Sequence, residues 1–316
     1  MIIKCGTYSG TGSSQSITGV GFQPDALVIK GGSNRPVVRT STMATNAAIP
    51  LSGTISGVAT GVITSLDSDG FSLGTDARVN ASATTYFYIA WKAVPADMKV
   101  LTYTGDGSDN RDITGVGFQP DMVWVIPTNS GTDAVVWATR SNPNVDADSS
   151  GIFTNSFDTN LIQKTIADGF QVGTGSNKNA TVYHAICWKH AVGFFNSVSY
   201  MGNGSDNRSI TGFGFQPDFA LTQFPTLGVA AALRFKDQAG DSSFLIDATG
   251  ANTNRIQAFE TDGFQVGTNT AVNFNANTFF SFGFKEGNSV VGGGGLAGGG
   301  TKLIDGQLTN ARLVAA

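Results

Sequence analysis

The stretch Ile17-Thr-Gly-Val-Gly-Phe-Gln-Pro-Asp25 returns nearly letter for letter from Ile113 to Asp121 and again from Ile210 to Asp218. A chain with this recurrence is constrained to fold three times into one kind of unit. Pro24, Pro120 and Pro217 lie 96 and 97 residues apart, and Asp69-Gly-Phe returns at Asp168 and Asp262, 99 and 94 residues on. Ala90-Trp91-Lys92 has its counterparts in Cys187-Trp188-Lys189 and Gly283-Phe284-Lys285. Three markers thus keep one order. The period exceeds the roughly 20–50 residues of solenoid repeats, so each copy is expected to be a small domain with its own core. The expected divisions are 1–97, 98–195 and 196–287, followed by a Gly-rich linker and C-terminal anchor peptide over 288–316.

Units of this size can fold without disulfide staples. Charged residues make up only 13% of the 316 and the net charge is −4, so the chain has no basic stripe to neutralise a row of phosphates, and nucleic acid is not an expected partner. The 41 glycines, with abundant Ser, Thr and Asn and almost no helical periodicity, predict short strands divided by turns, an all-β class. No run of about 18 apolar residues occurs, and Met1 to Tyr8 runs straight into the first copy, so neither membrane insertion nor a leader is expected. Cys5 stands where the sister copies have Val100 and Ser197, and Cys187 where they have Ala90 and Gly283. Such small replacements point to packing rather than to a disulfide, redox or metal role.

Each copy opens on a strand carrying Tyr8, Tyr103 or Tyr200, followed by a glycine-rich turn. No helical pattern follows these turns, as a phosphate cradle would need. After Pro-Asp come the apolar runs Ala26-Leu-Val-Ile29, Met122-Val-Trp-Val-Ile126 and Phe219-Ala-Leu-Thr-Gln-Phe224, whose lack of alternation predicts strands covered on both faces. Phe22, Phe118 and Phe215 are expected to anchor cores, and Asp25, Asp121 and Asp218 to bind local backbone. Asp-Gly-Phe marks a hairpin before the last, aromatic strand. There His184 replaces Phe87 and Phe280 and reads as packed, while His190 matches Ala93 and Glu286 and reads as surface.

Chemistry-bearing constellations are sparse. With two His and only Glu260 and Glu286 as glutamates, a nucleophile–base pair could be built only around His184 or His190. No catalytic, cofactor or metal residue is expected, although an Asp pair acting as acid and base is a question of three-dimensional spacing. Asn142, Asn144, Asp146 and Asp148 alternate faintly like a calcium loop, but the turn Gly and the bidentate Glu are missing, and a solvated loop is the expectation. Asp106, Asp109 and Asp112 cluster in the second copy alone. Variable middle segments are where partners are usually met. In the second of them Trp137, without aromatic counterparts near Arg39 and Leu233, is the candidate glycan contact. Behind the linker Gly292 to Gly300, the apolar Leu303, Ile304, Leu308, Leu313 and Val314 are the candidate assembly anchor.

The ordered set Tyr-x-Gly-x-Gly, Ile-Thr-Gly-x-Gly-Phe-Gln-Pro-Asp, Asp-Gly-Phe and Ala-Trp-Lys resembles the Gly-Phe-Gln-Pro-Asp repeats of structural and tail-associated proteins of tailed bacteriophages. The resemblance covers residues 1 to about 287 and implies a jelly-roll or concanavalin-like β-sandwich per copy and a place on the virion surface. It carries over no catalytic residue. The third copy departs most, with Phe213 for Val, Phe284 for Trp and a shorter middle. The expected function is a non-enzymatic structural protein of the particle, a capsid decoration component assembled in the host cytoplasm. Its expected partners are other virion proteins or further copies of itself. The alternative is a tail-associated adhesin that binds host surface glycan; a depolymerase is the third reading.

Overall fold

The computed structural model describes residues 1–51, 57–128, 135–141, 150–152, 155–158, 160–224 and 229–289. Unit 1 runs through β1 (Ile2–Ser9), β2 (Gln15–Ile17), β3 (Ala26–Gly31), β4 (Val37–Thr40), β5 (Ala47–Pro50), β6 (Ala59–Thr60), β7 (Ile63–Asp67), β8 (Gly70–Leu73) and β9 (Thr85–Lys92). Unit 2 repeats the series as β10 (Met98–Thr104), β11 (Arg111–Thr114), β12 (Met122–Pro127), β13 (Val136–Thr139), β14 (Ser150–Ile152), β15 (Asn155–Asp158), β16 (Ile162–Ile166), β17 (Gly169–Val172) and β18 (Val182–Trp188). Unit 3 does so as β19 (Phe195–Met201), β20 (Arg208–Thr211), β21 (Phe219–Gln223), β22 (Ala232–Phe235), β23 (Ser242–Leu245), β24 (Asn252–Thr253), β25 (Ile256–Glu260), β26 (Gly263–Val266) and β27 (Thr278–Phe284). A last short strand, β28 (Gly287–Asn288), follows.

The protein is all-β, in three tandem sandwich units. In unit 1 the large sheet has the order β1-β9-β3-β4-β5-β6 and the small one β2-β8-β7, and units 2 and 3 repeat both orders. The two ends of each unit roll together as in a jelly roll, the first strand beside the last in one sheet and the second beside the eighth in the other. The fourth to sixth strands depart from that plan by continuing the large sheet as a meander.

The repeated sequence markers form one joint. Gly19 and Gly21 sit at φ +81° and +85°, where only glycine is unstrained, and both donate their N–H to the Asp69 carboxylate, at 3.0 and 2.6 Å. Asp168 clamps Gly115 and Gly117 in the same way, and Asp262 clamps Gly212 and Gly214. These donors hold the Asp69 and Asp168 carboxyls below their ordinary range. Gly70, Gly169 and Gly263 lie so close to the clamped loop that a Cβ would come within 2.0 Å of the Ile17, Ile113 or Ile210 carbonyl oxygen. Asp25, Asp121 and Asp218 bind backbone, though not the local backbone expected: they accept from the N–H of Ala93, His190 and Glu286, beyond the last strand of each unit. The motif that defines the repeat is therefore architectural.

The two-sided apolar runs explain how the units sit together. Leu27 and Ile29, Val123 and Val125, and Ala220 turn into the sandwich of their own unit. The alternate residues Ala26 and Val28, Met122 and Trp124, and Phe219 and Leu221 turn the other way, into one cluster drawn from all three units. That common core is the largest of the four. Every unit has its own core, as expected, and all three share another that the repeat pattern did not announce. At its centre the equivalent residues Trp91, Trp188 and Phe284 each touch the other two, with ring centroids 5.7, 5.7 and 5.3 Å apart. A buried aromatic side chain removes about 150–250 Å² from water, on the order of 4–6 kcal/mol each.

The contacts run head to tail and close. From unit 1 to unit 2, Thr42 after β4 meets His184 of β18, Oγ1 to Nδ1, at 2.8 Å. From unit 2 to unit 3, Trp137 of β13 packs on Phe280 and Phe282. From unit 3 to unit 1, Phe235 and Phe244 pack on Phe87, and Lys30 donates to the Asp247 and Thr249 carbonyls at 3.1 and 2.9 Å. His184, Phe280 and Phe87 are equivalent positions, so one heterologous contact repeats three times and returns on itself, which gives a ring with a quasi-threefold axis. β28 seals the ring by pairing with β1, Ile2 opposite Asn288. β28 and Ser289 therefore belong to the ring.

Candidate functional site

Trp137 is fully buried, at 0% exposure, and donates its indole N–H to Gln223 Oε1 of unit 3 at 2.7 Å. This corrects its expected role as a glycan contact: the side chain is a tie between units and presents no face to a ligand. Cys5 and Cys187 are free and buried, as packing residues. His184 is packed in the shared core and His190 is exposed. Asp109 and Asp112 accept from Gln163 and Gln171, and Asp106 from Ser108 and Asn177. Asp146, Asp148 and the anchor residues Leu303, Ile304, Leu308, Leu313 and Val314 lie outside the described residues. Among the described residues no group of three or more His, Cys, Asp or Glu could hold a metal, and no helix is long and apolar enough to cross a membrane.

Concavities of two kinds lie among the described residues. One is a recess of about 280 Å³ where the segments joining the units converge, lined by Ala96, Asp97, His190, Val192, Phe194 and Ser289 among others. The Met1 ammonium and the Ser289 hydroxyl both donate to Asp97 Oδ2 there, at 2.8 and 2.5 Å. Val192 on its rim is 85% exposed. The chain passes beyond the described body at this point.

The other kind lies, among the described residues, at the same place in units 1 and 3. A recess of about 350 Å³ is lined by Gln23, Asp25, Arg39, Ser41, Thr45 and Ser65 among others. Its counterpart, about 490 Å³, is lined by the equivalents Gln216, Asp218, Arg234 and Lys236 among others. Both sit at the mouth of the sandwich beside the Gln-Pro-Asp corner, each with a nearly buried arginine. Arg39 reaches from β4 to the Ala47 carbonyl and, at 3.1 Å, to that of Ile63 in β7, whose bulge breaks the ladder there. Arg234 repeats the reach to Ser242 and Ile256. Burial lowers both guanidinium pKa values from the ordinary one. Unit 2 has Ala138 at this position. Sequence reasoning passed over these arginines, although the triplet Arg39, Ala138, Arg234 in otherwise apolar strands was the signal.

The fold thus defines a class: a single-chain ring of three all-β sandwiches, with polar recesses at the mouths of units 1 and 3. The chain belongs to the family defined by the domain of unknown function DUF7483, which it matches three times in tandem, over residues 2–98, 94–193 and 190–296. No curated protein and no solved structure matches it.

Proposed function

We propose that the protein is a non-enzymatic structural component of a bacteriophage particle, a surface-exposed capsid decoration protein held by the segment beyond Ser289. The observation that carries the reading is the closed ring. A body with quasi-threefold symmetry offers three near-copies of its outer surface, which suits a threefold-symmetric partner such as a capsid lattice. The apolar Leu303, Ile304, Leu308, Leu313 and Val314, behind a glycine linker, supply a peptide that needs a surface to cover it. The adhesin remains the second reading, favoured now by the polar recesses rather than by Trp137. Loss of the protein from particles when the chain ends at Ser289 supports decoration. Binding to host envelopes by that same shortened chain supports the adhesin.

Light-scattering mass gives a first test of the tail as a self-assembly element. Because β28 and Ser289 belong to the ring, the truncation is made after Ser289. The full chain is expected to form a larger assembly and the shortened one a single-chain body. Equal states of association would contradict self-assembly through the tail.

A further inference from the structure

The three seams of the ring share one geometry but not one chemistry. Each unit receives its predecessor through a cross-strand pair of the large sheet: Lys30 with Phe87, Ile126 with His184, and Gln223 with Phe280. Each unit offers its successor the strand β4, β13 or β22, where Val38, Trp137 and Leu233 stand opposite the equivalent Val28, Trp124 and Leu221. Two residues further on these strands carry Thr40, Thr139 and Phe235. The offered and receiving groups match in the native order. Trp137 gives its indole N–H to Gln223 Oε1 and packs its ring on Phe280. Phe235 stacks on Phe87, while the Lys30 ammonium takes the Asp247 and Thr249 carbonyls and stands 5.1 Å from the centre of the Phe244 ring. Thr42 supplies the hydroxyl that meets His184 Nδ1.

We infer that each receiving pair is a recognition key that accepts only the preceding unit, so that the cyclic order 1-2-3 is written in the seams as well as in the linkers. In the reversed order, 1-3-2, unit 2 would precede unit 1. The Trp137 indole N–H would then face the Lys30 ammonium, two donors with no acceptor between them. Unit 1 would precede unit 3, leaving Gln223 opposite Val38, whose side chain carries no donor and does not fill the place of an indole. Unit 3 would precede unit 2, and Phe235 would stand in the place of Thr40, whose hydroxyl lies 2.9 Å from the Thr42 hydroxyl that His184 meets. Lys30 and Gln223 are at 0% exposure, so water repairs neither mismatch. Stranded polar groups and voids are how a surface rejects a wrong partner. The inference rests on the ring and not on a place in the virion.

The experiment compares the calorimetric melting of two reordered chains, 2-3-1 and 2-1-3, the second being the reversed order begun at unit 2. The fold supplies the joints. Gly287 pairs with Ile3 as Ala191 does with Phe195, so Ser289 joined to Ile2 reproduces Gly193 joined to Phe194. Both chains start at unit 2, replace Met1 by a joint and keep residues 290–316 at the end. Chain 2-3-1 retains each pairing of units and chain 2-1-3 retains none. The first is expected to melt in one transition, and the second at least about 10 °C lower or without a cooperative transition. Chain 2-1-3 melting as high as 2-3-1 overturns the inference. A second comparison needs no new joint. Gln223→Lys, which puts the unit 1 key into unit 3, should melt at least about 3 °C below Gln223→Met, which only removes the acceptor. Lysine tolerated as well as methionine overturns the inference too, whatever the reordered chains do.

Discussion

Trp188→Ala should lower stability by about 3–5 kcal/mol, the usual range for deleting a buried aromatic ring, and should do so for the whole molecule at once. Trp188 touches Trp124, Trp91 and Phe284, with centroids 5.2, 5.7 and 5.7 Å away, so its removal opens a cavity bordered by all three units. In calorimetry one transition should move down by roughly 5–8 °C. Two transitions, only one of them shifted, would mean that unit 2 melts alone and that the shared core does not couple the units. Trp188→Phe is the control. Phe284 already fills the equivalent place, and the Trp188 indole N–H is buried with no partner among the described residues. Losing it offsets part of the lost ring, and the expected cost is about 1 kcal/mol.

The second large effect is acid sensitivity from His184. This imidazole lies in the shared core at 5% exposure, where burial pushes its pKa down to about 4. In the unfolded chain it titrates near 6.5, so the native state favours the neutral ring. Its contribution is fully present above about pH 6.5, falls as the pH drops towards 4, and changes no further below that. The loss at the acid end is about 3 kcal/mol at most. His184→Phe, which copies Phe87 and Phe280, should flatten the stability profile over that window while giving up the hydrogen bond to Thr42. Urea unfolding at stepped pH checks it, and a variant with the wild-type slope between pH 6.5 and 4 would exclude His184 as the source.

Much of the architecture was legible because it was written three times. The Gly-x-Gly-Phe-Gln-Pro-Asp and Asp-Gly-Phe markers could be set side by side within one chain, and each proved to be one half of the same clamp. The unalternating runs after Pro-Asp signalled covered faces correctly, but not what covers them. The second face meets other units, and periodicity along a chain says nothing about contacts between repeats. Trp137 illustrates the gap. Alone it reads as an aromatic out of place. It makes sense only opposite Gln223, itself a departure from Lys30 and Ile126 at the equivalent positions. Lys30, buried at 0% exposure, was hidden for the same reason, since two of its three carbonyl partners belong to unit 3. Of the recess, the Gln-Pro-Asp wall was visible in sequence, whereas the arginine floor depended on which strand faces a bulge.

The central claim is that three units close into one ring, and small-angle X-ray scattering of the chain ending at Ser289 tests it most directly. A compact body of this length should have a radius of gyration of about 19 Å. Three sandwiches strung in a row, each about 13 Å in radius of gyration and spaced by about one domain diameter, would give more than about 25 Å. With forward scattering matching one chain, the smaller value is the predicted result. The larger one would contradict the shared core and everything argued from it.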